Sequence, residues 1–464
     1  MKRRDFLKGI AVGGAAMALP GEAECLSANR FRNEGGGVVY SRSLPVECEV
    51  DVFVAGGGPA GVAAAVAAAR GGAKVFLAEA TGAFGGAATA AYVPAFACFS
   101  DGKRLVVGGI SGEIRHQVSQ GVPLTVAWAP LDLEELKRVY DAMVTKAGVR
   151  FSFFTNVVDV GVRDGHVEHV VLSSKRGLFA VRAKVFVDAT GDGDLCAFAG
   201  GAFEKGDEAG AVMPPTLCTQ WADIDFGKAA PAQGSLPKAI ADGVFSVPDL
   251  HLSGIFRNPN GSSVGGGNVG HVYNVDPTDE RSLTRAMVEA RRRMVEYVRF
   301  YREYVKGHEK AVLVSTAPCL GVRESRRIVC DYRMTVDDFL KRAQFDDQIG
   351  RYCYAVDIHR PARDKKEMEE FEREHYTTHR YRPGESYGIP YRALVAKSFS
   401  NVLVAGRCIG SDRQMNSSIR VMPACFITGQ AAGTAATMAL AKGDVRAVDV
   451  SRLRDRLKQD GVVL

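Results

Sequence analysis

The chain has 464 residues, enough for two or three domains at the usual ~150 residues each. Its 46% hydrophobic and 24% charged residues are those of an ordinary globular protein, which excludes a disordered or fibrous chain. The net charge of +6 is modest and partly carried by the N-terminal segment, so nothing in it points to nucleic-acid binding. The 51 glycines exceed the ordinary ~7% and gather beside strand-like runs, where they read as phosphate-binding turns. None of the ten cysteines forms CxxC or CxxCH, so no zinc, iron–sulfur or haem pattern is present and no metal is expected. A disulfide is open in an oxidising compartment, but the sequence does not pair the cysteines.

At the N-terminus, Lys2, Arg3, Arg4, Asp5, Phe6, Leu7 and Lys8 precede a weakly apolar stretch, Gly9 to Leu19. A charged segment followed by a short apolar one is the layout of an export signal, and this one is too short for the ~20 residues of a membrane span. Paired Arg3-Arg4 before Phe-Leu-Lys resembles the twin-arginine signal family. The resemblance implies export of the folded protein, with any cofactor already inserted, by the twin-arginine machinery to the periplasm or otherwise outside. Residues 1–30 are then signal and linker. No other apolar run is long enough to give a stable membrane span.

The next element is a nucleotide fingerprint. Asp51 to Ala55 is a short β-rich run, and Gly56-Gly57-Gly58-Pro59-Ala60-Gly61 follows at once. Val62 to Arg70 is alanine-rich and helix-favouring. Lys74 to Ala78 is a second strand ending at Glu79 and Ala80. Gly56 permits the tight turn, Gly58 lets a pyrophosphate approach the backbone, and Gly61 lets helix and strand pack closely. The helix start offers free N–H groups and a positive dipole end to phosphates. Glu79 stands where an acid bonds ribose hydroxyls, about 20 residues past the first glycine. An acid there disfavours a 2′-phosphate ligand but does not separate FAD from NAD.

Three later segments make that separation. Thr81 to Thr89 carries Gly85 and Gly86, whose backbone N–H groups suit a long anionic ligand. Lys184 to Asp194 is a strand running into Asp188-Ala-Thr190-Gly191-Asp192. Asn401 to Arg407 is a third strand ending in glycine, followed by Val421-Met-Pro-Ala-Cys-Phe-Ile-Thr-Gly429. Pro423 suits a first helical turn, and a helix starting there aims its positive end at a ligand carbonyl.

From about residue 48 to 440 the chain resembles the bacterial FAD-dependent oxidoreductases, which are akin to the fumarate reductase and succinate dehydrogenase flavoproteins. The carrying segments are GGGPAGVAAAVAAARGGAKVFLAEA, FGGAAT, DATGDGDLCAFAG, LVSTAPCLGVRESRRIVCDYRMTVDDF, YAVDIHRP, YGIPYRALV and NVLVAGRCIGSDRQMNSSIRVMPACFITGQAAGTAA. The resemblance implies an α/β, Rossmann-type (two-dinucleotide-binding) FAD fold with an inserted α+β substrate domain. It places Gly56, Gly58, Pro59, Ala60, Gly61, Glu79 and Ala80 at the adenosine end of FAD. Gly85, Gly86, Ala88 and Thr89 fall near pyrophosphate and flavin. Asp188, Thr190, Gly191 and Asp192 form the second strand turn, and Gly406, Arg407, Arg420, Met422 and Gly429 the flavin end. Many members carry a histidine after the Gly-Arg-Cys stretch; this chain has Arg413, which implies an anion binder in its place. The expected division is 48–200 and 396–440 for the FAD domain, 201–395 for the substrate or cap domain, and 441–464 for a C-terminal tail.

Between the glycine turns, Arg150–Val158, Val160–Arg163, Val167–Ser173 and Leu178–Arg182 read as strands, with a hairpin at Arg163-Asp164-Gly165-His166. Asp279 to Lys306 has helical periodicity, with Leu283, Met287, Met294, Val298 and Val305 near one face and Thr278 as its cap. Asp364 to His375 reads as a charged helix or loop. For chemistry, flavin carries hydride and the protein supplies orientation and proton transfer. His359 is the first candidate base, with Asp357 two residues away; His251 and His271 are second-rank. Arg323, in a dense charged turn with Glu324, Arg326 and Arg327, suits an anionic substrate group. Tyr387 and Tyr391 read as packing residues. The leading expectation is hydride transfer between flavin N5 and a small carbohydrate, hydroxy compound or activated alkene, with a separate and unidentified electron donor or acceptor. A flavin-binding protein without turnover and an NAD-dependent single-Rossmann dehydrogenase are the alternatives.

Overall fold

A computed structural model describes residues 30–34, 37–119, 121–123, 125–250, 252–359, 373 and 379–464. The expected export signal with Arg3 and Arg4, His251, and nearly all of the charged stretch 364–375 lie outside the described residues. The chain divides into two units, Met1–Pro45 and Val46–Leu464. The first holds one antiparallel strand pair, Arg30–Glu34 with Gly37–Ser41. Among the described residues no helix is long and apolar enough to cross a membrane.

The second unit is built on a seven-stranded sheet. Five strands run parallel: β1 (Val46–Ala55), β2 (Val75–Ala78), β3 (Arg150–Ser152), β6 (Gly177–Asp188) and β11 (Val402–Val404). β4 (Asn156–Arg163) and β5 (His166–Ser174) form an antiparallel meander with the first half of β6. The order is β3-β2-β1-β6-β5-β4, with β11 on the last residues of β6. The expected hairpin is present at 163–166: Asp164 and Gly165 have φ of 50° and 73°, the paired positive values of a two-residue turn that matches strand twist.

α1 (Pro59–Arg70) is buried all round from Pro59 to Ala68, which explains its alanines. It packs against α3 (Met422–Ala439), and the two backbones touch. A Cβ on Gly429 would lie 2.1 Å from the Ala60 carbonyl oxygen, and one on Gly433 would lie 2.1 Å from that of Ala64. Small residues on both helices let them lie this close.

A second core draws its buried residues from Leu217 to Leu320. It lies under a four-stranded antiparallel sheet of β7 (Thr219–Ala222), β8 (Gly254–Arg257), β9 (Gly265–Asn268) and β10 (Val312–Thr316), ordered β8-β9-β7-β10. β9 reads GGGN because both its faces are crowded: a Cβ on Gly266 would meet Pro94 at 2.4 Å, and one on Gly267 the Thr219 hydroxyl at 2.4 Å. From the same 201–395 span, Ile328, Phe339, Ile349 and Leu394 pack into the first core. Within residues 441–464, α4 (Val450–Gln459) buries Leu453 and Leu457 in the first core.

The long helix α2 spans Glu280–Tyr304. Asp279, not Thr278, caps it, accepting from the N–H groups of Arg281 and Ser282. Its buried face is Ala286, Ala290, Met294, Tyr297, Phe300 and Tyr301. Leu283 and Met287 pack against that core and also line a cleft between the two cores.

Candidate functional site

The cleft, about 1230 Å³, opens at the carboxyl ends of β1, β2 and β6, where open α/β sheets bind ligands. It is larger than the ~300–1,000 Å³ of most small-molecule sites, leaving room for a dinucleotide and a substrate together.

Two helix starts border it. α1 begins at Gly58 and α3 at Val421, and neither has a side-chain cap. By contrast, Asp132, Asp279 and Asp449 cap helices elsewhere. Uncapped N–H groups at both ends of one cleft suit phosphate and a carbonyl group. Gly58 meets the cleft directly, since a Cβ there would have no neighbour within 4 Å. The buried Glu79 accepts from the Gly57 N–H at 2.6 Å and from the Thr81 N–H and hydroxyl at 2.7 Å each. Those bonds fix its carboxylate at the cleft wall with acceptor capacity left over. At the opposite end the Nε–H of Arg420 is buried without an acceptor among the described residues. Such an orphan donor costs free energy unless a ligand satisfies it.

Fourteen of the residues expected at FAD line the cleft: Gly56, Gly58, Pro59, Ala60, Glu79, Ala80, Gly86, Thr190, Gly191, Asp192, Gly406, Arg407, Arg420 and Met422. Six others lie behind its wall. A Cβ on Gly61 would stand 1.8 Å from the Gly56 carbonyl, so this glycine serves the turn. Gly85 has φ of 114° and, with Ala88 and Thr89, shapes the following loop; the Thr89 hydroxyl donates to the Phe84 carbonyl at 2.5 Å. Asp188 is fully buried and accepts from the Thr190 hydroxyl at 2.7 Å and the Cys196 N–H at 2.9 Å, holding the second turn. Gly429 is a helix-packing residue against Ala60.

Asp194, also in the cleft wall, has a carboxyl raised to about 6 by burial and the nearby Asp192 and Asp188 charges, against the pull of Arg326. Its folded value lies above its unfolded one. Its stabilising contribution is therefore complete below about pH 4 and lost as pH rises through 6. Asp194→Asn should flatten the dependence of the thermal midpoint on pH between 4 and 6. A midpoint profile identical to that of the parent would contradict this.

The candidate chemistry lies opposite the glycine turns. His359 and Arg323 both line the cleft. No strand forms at 353–359, yet His359 Nε2 stands 3.3 Å from Asp357 Oδ2. His359 Nδ1 is 2.8 Å from His271 Nε2, and His271 Nδ1 is 2.8 Å from Asp249 Oδ2. The result is a line of four groups, Asp249–His271–His359–Asp357, the first three of them buried, with His359 and the partly exposed Asp357 at the cleft. Asp249 carries no signal in the sequence.

Arg323 is buried, donating to the Pro214 carbonyl at 2.9 Å and the Thr216 hydroxyl at 2.6 Å. Among the described residues no carboxylate pairs with it. Burial and the like charge of Arg420 pull its guanidinium down to about 10. Arg413 is placed differently from expectation. It does not line the cleft, because its Nε donates to the buried carboxylate of Glu324 at 3.1 Å. Glu324 also holds Arg327 and the Met213 N–H, so the charged turn ties segments together.

A parallel sheet with a glycine turn and uncapped helix at its switch point defines a Rossmann-type dinucleotide-binding fold. The chain belongs to the FAD dependent oxidoreductase family, whose model matches residues 51–457. FAD is its cofactor, and the chain is an oxidoreductase. Residues 1–20 match the signal sequence of the twin-arginine translocation pathway, so the chain is exported by that route. No curated protein matches the chain. Among solved structures it is similar to a geranylgeranyl bacteriochlorophyll reductase-like protein of Thermoplasma acidophilum, at 12% identity over 89% of this chain and 83% of that one, with a TM-score of 0.43. It is also similar to a p-nitrophenol 4-monooxygenase of Pseudomonas putida, at 11% identity over 90% of this chain and 88% of that one, with a TM-score of 0.42.

Proposed function

We propose that the chain is a dehydrogenase of a small hydroxy compound bearing an anionic group. The observation that carries this reading is the line Asp249–His271–His359–Asp357 ending in a cleft with a buried arginine, Arg323, that no carboxylate pairs among the described residues. FAD, when bound, supplies the hydride acceptor at its N5. The fourteen lining residues hold it, with Gly58 and the start of α1 at the pyrophosphate, Glu79 at the ribose, and Arg420 and the start of α3 at the flavin ring. The part built on the second core closes the cleft on the substrate side.

Hydrogen counting gives the proton path. Asp249 accepts from His271 Nδ1, which leaves His271 Nε2 bare to accept from His359 Nδ1. In that tautomer His359 Nε2 carries the lone pair that takes the proton of the substrate hydroxyl. Once that proton arrives, three protons on the two rings satisfy all three contacts, and Asp357 faces the new imidazolium. Taking up the proton thus completes the network. Arg323 holds the anionic group and fixes the hydroxyl toward His359.

Anaerobic addition of 2-hydroxy acids and sugar acids to the FAD-loaded enzyme should bleach the flavin absorbance. Bleaching by neutral sugars alone would refute the anionic substrate. Failure of every hydroxy compound, with reoxidation of reduced enzyme by an unsaturated acid, would refute the direction. Arg323→Met should raise KM for the bleaching substrate by about 100-fold, as expected for a lost charge-assisted pair of roughly 2–3 kcal/mol. An unchanged KM would remove Arg323 from the site.

A further inference from the structure

The sulfurs of Cys98 and Cys353 lie 3.4 Å apart, although 255 residues separate them in the chain. Both residues line the cleft, and among the described residues this is the one thiol–thiol contact given by the structure. We propose that Cys98 and Cys353 form a reversible disulfide in the cleft wall after export, made by exchange with an external disulfide.

The geometry asks for little. A disulfide has sulfurs ~2.05 Å apart, so the gap closes by just over an ångström. Cys98 follows the short strand Ala95–Phe96, and Cys353 follows the strand Gln348–Tyr352. Each sulfur sits at the end of a backbone element whose partner strand positions it. The two thiols are also chemically unequal. Either sulfur can be the donor in that contact, and the Cys353 S–H also reaches the Ser100 carbonyl at 3.5 Å; the hydrogen bond between the two pulls the Cys98 thiol down and pushes the Cys353 thiol up. With the shared proton on Cys353, Cys98 is the attacking sulfur and Cys353 the resolving one. The other thiols differ. Cys196, Cys218, Cys330, Cys408 and Cys425 are buried, with thiols pushed up mainly by burial.

The reaction balances with a disulfide such as oxidised glutathione as the two-electron acceptor. The Cys98 thiolate attacks one glutathione sulfur, forming a mixed disulfide and releasing one glutathione. Cys353, losing its proton, then attacks the Cys98 sulfur and releases the second. Two protein thiols are oxidised and one external disulfide is reduced. Twin-arginine export fits this timing, since residues 1–20 send the chain from a reducing compartment to an oxidising one. The bond would join segments 255 residues apart, a long loop whose closure restricts the unfolded chain strongly.

The test uses full-length, FAD-loaded protein purified under reductant. It is split into untreated, oxidised-glutathione and re-reduced portions, alkylated and mapped by mass spectrometry. The expected result is a Cys98–Cys353 linked peptide as the main oxidised species, absent before treatment and after dithiothreitol. The oxidised form should also melt about 5 °C or more higher, and Cys353→Ser should remove that increment. Recovery of both cysteines as alkylated thiols after oxidation overturns the proposal. So does a linked species that joins either one to another cysteine.

Discussion

Replacing His359 with glutamine should lower turnover by about 10²–10⁴-fold while the purified protein keeps its FAD. Glutamine preserves size and hydrogen bonding near Asp357 but cannot take up a proton at neutral pH. The His359 ring is buried between His271 and Asp357, so the variant also breaks the path to Asp249. The acid limb of the rate profile should vanish with it, because no titrating base remains. Asp249→Asn should fall between parent and His359→Gln, because the amide holds His271 without fixing the same tautomer. Turnover in His359→Gln within threefold of the parent, at full flavin content, would sink the assignment.

The second large effect separates two kinds of glycine. Gly58→Ala places a methyl group in open cleft, at a φ of −67° that any residue adopts. It should leave folding intact and abolish retained FAD, since the methyl occupies the path of the pyrophosphate to the backbone. Gly429→Val instead drives its Cβ to within 2.1 Å of the Ala60 carbonyl. Forcing α1 and α3 apart should cost several kcal/mol, beyond the ~1–3 of ordinary overpacking, with FAD and thermal stability lost together. Circular dichroism melts and flavin-to-protein absorbance ratios read both. If Gly58→Ala retained FAD in parental amount, the cleft at the start of α1 would not be the pyrophosphate site. If Gly429→Val melted like the parent, the close approach of α1 and α3 would not be needed for the fold.

The dinucleotide half of the molecule was legible because its signals are local. The run from Asp51 to Glu79 spells strand, turn, helix and strand in one stretch, and the hairpin at Asp164-Gly165 follows from two residues with positive φ. Glycine identity alone did not reveal its use. Gly58 and Gly429 look alike in sequence, yet one faces the cleft and the other a helix backbone. Arg413 looked like an anion binder until Glu324, 89 positions earlier, came to lie beside it. Helical periodicity found α2 and its inner face: Met294 and Val305 are buried in the second core, and Leu283, Met287 and Val298 pack against it.

By itself, the sequence determined the Rossmann-type fold, the FAD cofactor and the export signal. Each of these depends on residue spacing within a strand, a turn or one helix, where backbone geometry sets the rule. Only the tertiary structure decided the proton line and the thiol pair. His271 meets Asp249 across 22 residues and His359 across 88, and Cys98 meets Cys353 across 255. No periodicity connects such partners, because they come from distant segments that only the packing of the folded chain brings together; Cys98 and Cys353 both pack against the first core.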